Sequence, residues 1–258
     1  MNWQTLDVRT DPRGVARVTL NTPAKRNTLS AAMIAELTEM AQGIGQEARA
    51  IVLSGAGPVF CAGADLGWMQ AQMQAGRAQR MHEARKLAGM LHALNTMRAP
   101  LIGRLHGGAF GGGIGLACIC DVAVAEEGTK FCFAETRLGI IPATIGPYVL
   151  ARMGEGNARR VFMSARVFDA AEAERLGILA RAVPAPGLDA AIEAEVAPYL
   201  AVAPGAVAAA KRLVRDLGPR IGPEVIEDSI RRLADIWESD EAARGITAFL
   251  EKRDPGWS

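Results

Sequence analysis

The chain has 258 residues, half of them hydrophobic and 22% charged, a balance that excludes intrinsic disorder and lets one large domain or two modest ones bury a core without staples. Basic and acidic side chains number 29 and 28, a formal charge of +1, so no electrostatic footprint for a polyanion exists and nucleic acid is not expected as a partner. Four cysteines, Cys61, Cys118, Cys120 and Cys132, form no CxxC pair; they read as reduced thiols in the interior of a cytoplasmic protein.

Taken in chain order, the opening MNWQTLDVRTDPRG is polar and lacks the basic and apolar regions of a signal peptide. GVARVTL (14–20) is the first β-branched run and predicts a strand. A helix is expected from Ser30, a plausible cap, to about Gly45, with Met33, Ile34, Leu37 and Met40 at helical spacing. AIVLSG (50–55) reads as a second strand, followed by the small-residue turn FCAGADLGWM (60–69) and one long helix from about Met69 to Met97. LIGRL (101–105), DVAVA (121–125) and KFCF (130–133) are further strands. Strands alternating with helices predict an α/β chain with mostly parallel pairing.

Beyond Asp169 the strands stop, apart from a weak one at 179–183, and Ala-rich helical periodicity takes over. Pro184, Pro186 and Gly187 mark the expected boundary, giving a core over residues 1–190 and a helical region over 191–258. Within the latter, Ile226, Ile230, Leu233 and Trp237 form an apolar helix face that must be covered by the same chain or by a sister subunit. The longest uncharged stretch, LHGGAFGGGIGLACIC, is too short and glycine-rich for a membrane span, and no membrane is expected as a partner.

The chemistry concentrates in two turns. HGGAFGGGIGLACIC (106–120) follows a strand and leads into a helix, so Gly111, Gly112 and Gly113 let the backbone approach a ligand and aim free N–H groups at developing negative charge. It lacks the GK[ST] of a phosphate loop and the GxGxxG spacing of a dinucleotide site. The turn at 60–69 also follows a strand and precedes a helix. Two N–H donors from separate turns are what an oxyanion hole for a thioester carbonyl requires. The histidines His82, His92 and His106 stand in no metal-ligand spacing, so no metal is expected, and no GxSxG elbow is present.

NTPAKRNTLS, FCAGADL, HGGAFGGGIGLACICDVAVA, KFCFAETRLGIIP and the terminal ITAFLEKRDP, in that order, resemble the crotonase superfamily, the enoyl-CoA hydratase and isomerase family. The resemblance implies a spiral of ββα units with an α-helical C-terminal region that packs homotrimers, often paired into hexamers. It implies an acyl-CoA thioester as substrate, coenzyme A being part of that substrate and no separate cofactor being needed. Carried over by motif, the oxyanion N–H groups fall on Ala64 and Gly112. The CoA contacts fall on Ala24, Lys25, Arg26, Ala62, Asp65 and Leu66, with Gly111 beside the thioester. Phe249 and Lys252 match positions that reach the CoA of a neighbouring subunit.

Hydratases of the family carry two glutamates. Here the first position is Gly115 and the second is Glu135, leaving one matched acid or base. Three mechanisms remain open: a hydratase in which Glu135 both activates water and delivers the proton, a 3,2-enoyl-CoA isomerase in which it shuttles a proton from C2 to C4, and a carbon–carbon cleavage that it merely assists. A non-catalytic thioester-binding oligomer is a fourth reading. The texture of ETRLGIIPATIGPYVLARMGEGNARR resembles the branch that hydrates glutaconyl thioesters such as 3-methylglutaconyl-CoA or isohexenylglutaconyl-CoA, in leucine and acyclic terpene breakdown. A distal carboxylate would need a cation, for which Arg104 and Arg137 are the candidates. Trp68, Met69, Met73 and Met81 are either a mobile wall over the acyl chain or ordinary helix packing, and Thr144 and Tyr148 stand near the same pocket.

Overall fold

The structure, a computed structural model, describes residues 3–257. β1 (Leu6–Thr10) and β2 (Val15–Leu20) pair antiparallel, and α1 (Ala31–Gln42) begins where the Ser30 hydroxyl accepts the Met33 N–H at 3.3 Å. The short α2 (Ile44–Glu47) leads into β3 (Ala50–Gly55). After it come α3 (Leu66–Gln74), α4 (Arg77–Thr96), β4 (Leu101–Leu105), β5 (Gly108–Phe110) and α5 (Gly112–Ile119). β6 (Val122–Glu126), β7 (Lys130–Cys132), a 3₁₀ turn at Glu135–Leu138, α6 (Gly146–Met153) and α7 (Glu155–Ala158) follow. The chain then forms β8 (Phe168–Asp169), α8 (Ala170–Arg175), β9 (Arg181–Val183) and the helices α9 (Leu188–Leu200), α10 (Pro204–Leu217), α11 (Pro223–Trp237) and α12 (Asp240–Leu250).

A six-stranded sheet in the order β1-β2-β3-β4-β6-β9 is parallel beyond its first pair; a smaller sheet, β5-β7-β8, lies beside it. Bridges between Cys61 and Ala109 and between Leu29 and Ala64 extend the small sheet along the turns that leave β2 and β3. The chain therefore climbs as a spiral: β3 with the Cys61 turn, β4 with β5, and β6 with β7 each place one segment in the large sheet and one in the small. The middle of the large sheet is covered on both faces, which is why β3 and β6 read as continuous apolar runs. Ile51, Leu53, Leu101 and Leu105 join the main core with α1, α4 and α5, whereas Val52, Ile102 and Val124 pack against Leu188, Ile192 and Val196 of α9.

One sequence expectation changes, and two strands appear that the sequence reading did not mark. The long helix from Met69 is two helices broken at Ala75 and Gly76, the latter in extended conformation as the cap of α4. The polar opening contains β1, whose Leu6 alone is fully buried. The glycine-rich turn contains β5, too short for a periodicity to show. The apolar face of α11 is covered by its own chain: Ile230 packs on Ala84 and Ala88 of α4, and Trp237 on Met69, Ile140, Ala242 and Ile246. That packing also absorbs Met73 and Met81. No single helix among the described residues is long and apolar enough to cross a membrane.

Candidate active site

The two turns meet. Cys61 N–H donates to Gly108 C=O and Phe110 N–H to Cys61 C=O, locking the segment after β3 onto β5. At Gly63, φ is +88°, and a side chain there would stand 2.7 Å from the Phe110 carbonyl and 3.6 Å from the Gly112 nitrogen. Only glycine permits that backbone and that approach. Ala64 follows directly and is exposed, and neither its N–H nor that of Gly112, which opens α5, donates to another group among the described residues. Two free amides from separate turns thus lie next to one another with the N-terminal end of a helix behind one of them.

Glu135 closes the site from the third side. Its stem is partly exposed, but its carboxyl reaches back to the first turn of α5: Oε1 lies 2.8 Å from where a Cβ on Gly111 would stand. Gly111 has φ of +47° and is held by its N–H on Cys132 C=O at 3.0 Å. Oε2 has no accessible surface and no hydrogen-bond partner. Burial without a compensating charge pushes the Glu135 carboxyl up to about 7. A carboxyl half-ionised near neutral pH can take a proton in one step and give it back in the next.

The loop carrying the expected CoA contacts is tied to these turns. Ala24 and Lys25 lie in a 3₁₀ turn, Pro23–Lys25, and with Arg26 are exposed; the Arg26 carbonyl accepts the Ala62 N–H. Asp65 caps α3 by accepting the Trp68 N–H and also accepts the Thr28 hydroxyl, while Leu66 is exposed. The organiser, which the sequence did not single out, is Asn27. Fully buried, its amide accepts the Thr22 N–H and donates toward the carbonyls of Ala56, Val59 and Phe60. An asparagine inside NTPAKRNTLS, a residue tolerant of its φ of +55°, was the available signal. Phe249 and Lys252 lie apart at the end of α12, both exposed, with no hydrogen bond or ion pair to the turns.

Neither arginine considered for a distal carboxylate faces this site. Arg104 shares the side of the sheet that α9 covers and pairs with Asp189 at 2.6 Å, and Arg137 is exposed and donates to the Ala165 carbonyl. His106 donates from Nε2 to the Gly57 carbonyl, holding the turn before the glycines. Tyr148 is buried with its hydroxyl unpartnered, and Thr144 is buried beside the start of α6. The four cysteines are buried free thiols, and burial pushes Cys61, Cys118 and Cys120 up to about 12, which makes them inert packing groups.

A cavity of about 340 Å³ begins at Asp65, the residue after Ala64, and runs along one side of α3 past Trp68, Ala71, Gln72 and Ala75 to Gln79 and Glu83 of α4. Gln72 is buried and its Oε1 has no partner. Trp68 and Gln72 also border a crevice with Arg80, which stacks over Trp237 and donates to the Gln72 carbonyl. Arg80 has no carboxylate within ion-pair distance among the described residues.

The sequence pattern of the enoyl-CoA hydratase/isomerase family matches residues 10–258. The chain belongs to that family. A relative from Thermus thermophilus is 32% identical over 254 residues, covering 96% of this chain and 99% of its own. The crystal structure of an enoyl-CoA hydratase from Mycobacterium avium matches at a TM-score of 0.85 with 32% identity, over the whole of both chains. AtuE of Pseudomonas aeruginosa is similar at 0.78 with 35% identity, over 98% of this chain and 99% of that one. The protein is accordingly an enzyme of the enoyl-CoA hydratase/isomerase class, acting on acyl-CoA thioesters.

Proposed function

We propose that the enzyme adds water to the α,β double bond of an enoyl-CoA with Glu135 as its single acid/base and the Ala64 and Gly112 amides as its oxyanion hole. The observation that carries this reading is the lone buried carboxyl beside two unpaired backbone donors. The Glu135 carboxylate takes a proton from water as the water oxygen bonds to C3. The electron pair of the double bond moves onto the thioester, where the enolate oxygen is held by the two amides. Glu135 then returns its proton to C2 on the same face, which restores the carbonyl and leaves the carboxylate as it began. CoA lies along Ala24, Lys25, Arg26, Ala62, Asp65 and Leu66, and the thioester passes Gly111. Phe249 and Lys252 serve a neighbouring protomer of a homotrimer or of a hexamer of paired trimers.

For the acyl group the reading is a branched glutaconyl-type chain such as 3-methylglutaconyl or isohexenylglutaconyl. Support comes from the cavity along α3, with its alanine and tryptophan walls, and from Arg80, which lines the adjoining crevice across Trp68 and Gln72 and which no carboxylate among the described residues neutralises. The absence of a second carboxyl at Gly115 favours one other reading, a 3,2-enoyl-CoA isomerase, since moving a proton from C2 to C4 needs only one base. Incubation with 3-methylglutaconyl-CoA and with a 3-enoyl-CoA, followed by mass spectrometry of the products, separates the two. A gain of one water on the branched substrate is expected; product of unchanged mass from the 3-enoyl thioester, with no hydration, would make Glu135 a proton shuttle instead. Arg80→Gln should lower kcat/KM on the glutaconyl substrate at least tenfold, about 1.4 kcal/mol, and leave crotonyl-CoA little changed.

A further inference from the structure

Gly111, the residue that caps α5, and Gly115 lie one turn apart on the same side, joined by the Gly115 N–H on the Gly111 carbonyl at 3.2 Å. Between these two positions that side of the helix carries no side chain of its own, and two residues from elsewhere cover it. Glu135 stands over Gly111. Over Gly115 stands Ile145, the residue immediately before α6, 3% exposed, whose Cβ lies 3.0 Å from where a Cβ on Gly115 would be and whose Cγ2 lies closer still. Leu91 of α4 completes that contact at 3.9 Å. No side chain at position 115 fits unless Ile145 gives way, and its buried, branched stem has nowhere to go.

We propose that Ile145 is a positioning residue for the reaction: it fills the volume that a second carboxyl at position 115 would need and walls the Glu135 carboxyl with hydrocarbon one helical turn away, so that a single acid/base serves the acyl group. This rests on the reading of Glu135 as that acid/base. Among the described residues, no charged or titratable group around Glu135 holds its carboxyl by a hydrogen bond or ion pair. On its own segment, Arg137 and the Cys132 thiol both donate to the Ala165 carbonyl. On α6 the Tyr148 phenol is buried and unpartnered, and on α12 Glu241 and Arg244 are exposed. From α5 the only titratable side chain is Cys118. None makes a hydrogen bond or ion pair with the Glu135 carboxyl. An apolar neighbour that excludes water favours the protonated form, and replacing it by space for water should favour the carboxylate.

The test uses Gly115→Glu, Ile145→Gly, their combination, and Ile145→Ala with the conservative Ile145→Val. Gly115→Glu alone should lower the melting temperature by roughly 5–10 °C through overpacking, and adding Ile145→Gly should recover at least half of that loss. In Ile145→Ala the acid limb of kcat/KM against pH should move down by about one unit, with Ile145→Val giving a smaller shift in the same direction. Losses that merely add in the double variant would overturn the shared volume. Coupled melting temperatures with an unmoved acid limb in both single variants would make Ile145 a filler and overturn its positioning role. If Glu135→Gln keeps full turnover, the underlying reading fails instead, whatever the coupling between 115 and 145 shows.

Discussion

Glu135 shows what a buried carboxyl costs and what it permits. Between pH 4.5 and about 7 the folded protein holds a proton that the unfolded chain has released, so stability falls as pH rises across that window and the full cost stands above it. Glu135→Gln keeps the shape and removes the charge. It should therefore be more stable than the parent at pH 8 by up to about 3 kcal/mol, with the gain vanishing toward pH 4.5; melting curves across pH check both the sign and the window. Ala64→Pro removes one of the two amides and should cost roughly 3 kcal/mol of transition-state stabilisation, read as a fall in kcat on a protein whose circular dichroism is unchanged. That Glu135, Ala64 and Gly112 come together could be anticipated because they sit at fixed distances inside motifs. Ile145 could not be: that it fills the space above Gly115 is a fact of complementary volume between segments thirty residues apart, which no local pattern encodes. The fates of Arg104 and Arg137 were hidden for the same reason, since their partners Asp189 and Ala165 are distant in sequence.

At the scale of elements, β-branched runs and caps located β2, β3, β4, β6 and α1, because each buries a periodic face or an unbroken run. The break between α3 and α4 escaped because Ala75 and Gly76 interrupt the backbone without interrupting the apolar spacing. Its consequence is that α3 is a short helix with the cavity along one side. The anchoring of α10 was equally invisible. Asp121, at the start of β6, accepts the Leu101 N–H and pairs with Lys211 at 2.6 Å, while Lys211 also donates to the Ala99 carbonyl. With the Lys211 side chain only 7% exposed, Lys211→Ala strands a largely buried carboxylate and should cost about 3 kcal/mol in urea unfolding, partly offset by Arg215, 3.5 Å from Asp121.

Across the whole molecule, strand alternation indicated an α/β chain with mostly parallel pairing but could not order the strands, because parallel neighbours are set by crossovers rather than by adjacent turns. The spiral explains the placement of the site: the segments after β3, β4 and β6 converge on the small sheet, bringing Ala64, Gly112 and Glu135 together from positions spread over seventy residues. Outside that convergence, α10 exposes Leu213, Val214 and Leu217 on one stripe. A homotrimer or hexamer would cover such surface, so sedimentation should give three or six times the mass of the chain, and Leu213→Glu with Leu217→Glu should lower it; a monomer at micromolar concentration would refute the assembly.

The most direct test of the single-carboxyl hydratase is the kcat of Glu135→Gln on 3-methylglutaconyl-CoA at pH 7, followed as gain of one water. The predicted result is a fall of about 10²–10⁴-fold in a protein that melts no lower than its parent. Retained hydration by the folded variant would contradict the role of Glu135 and return the site to its two amides alone.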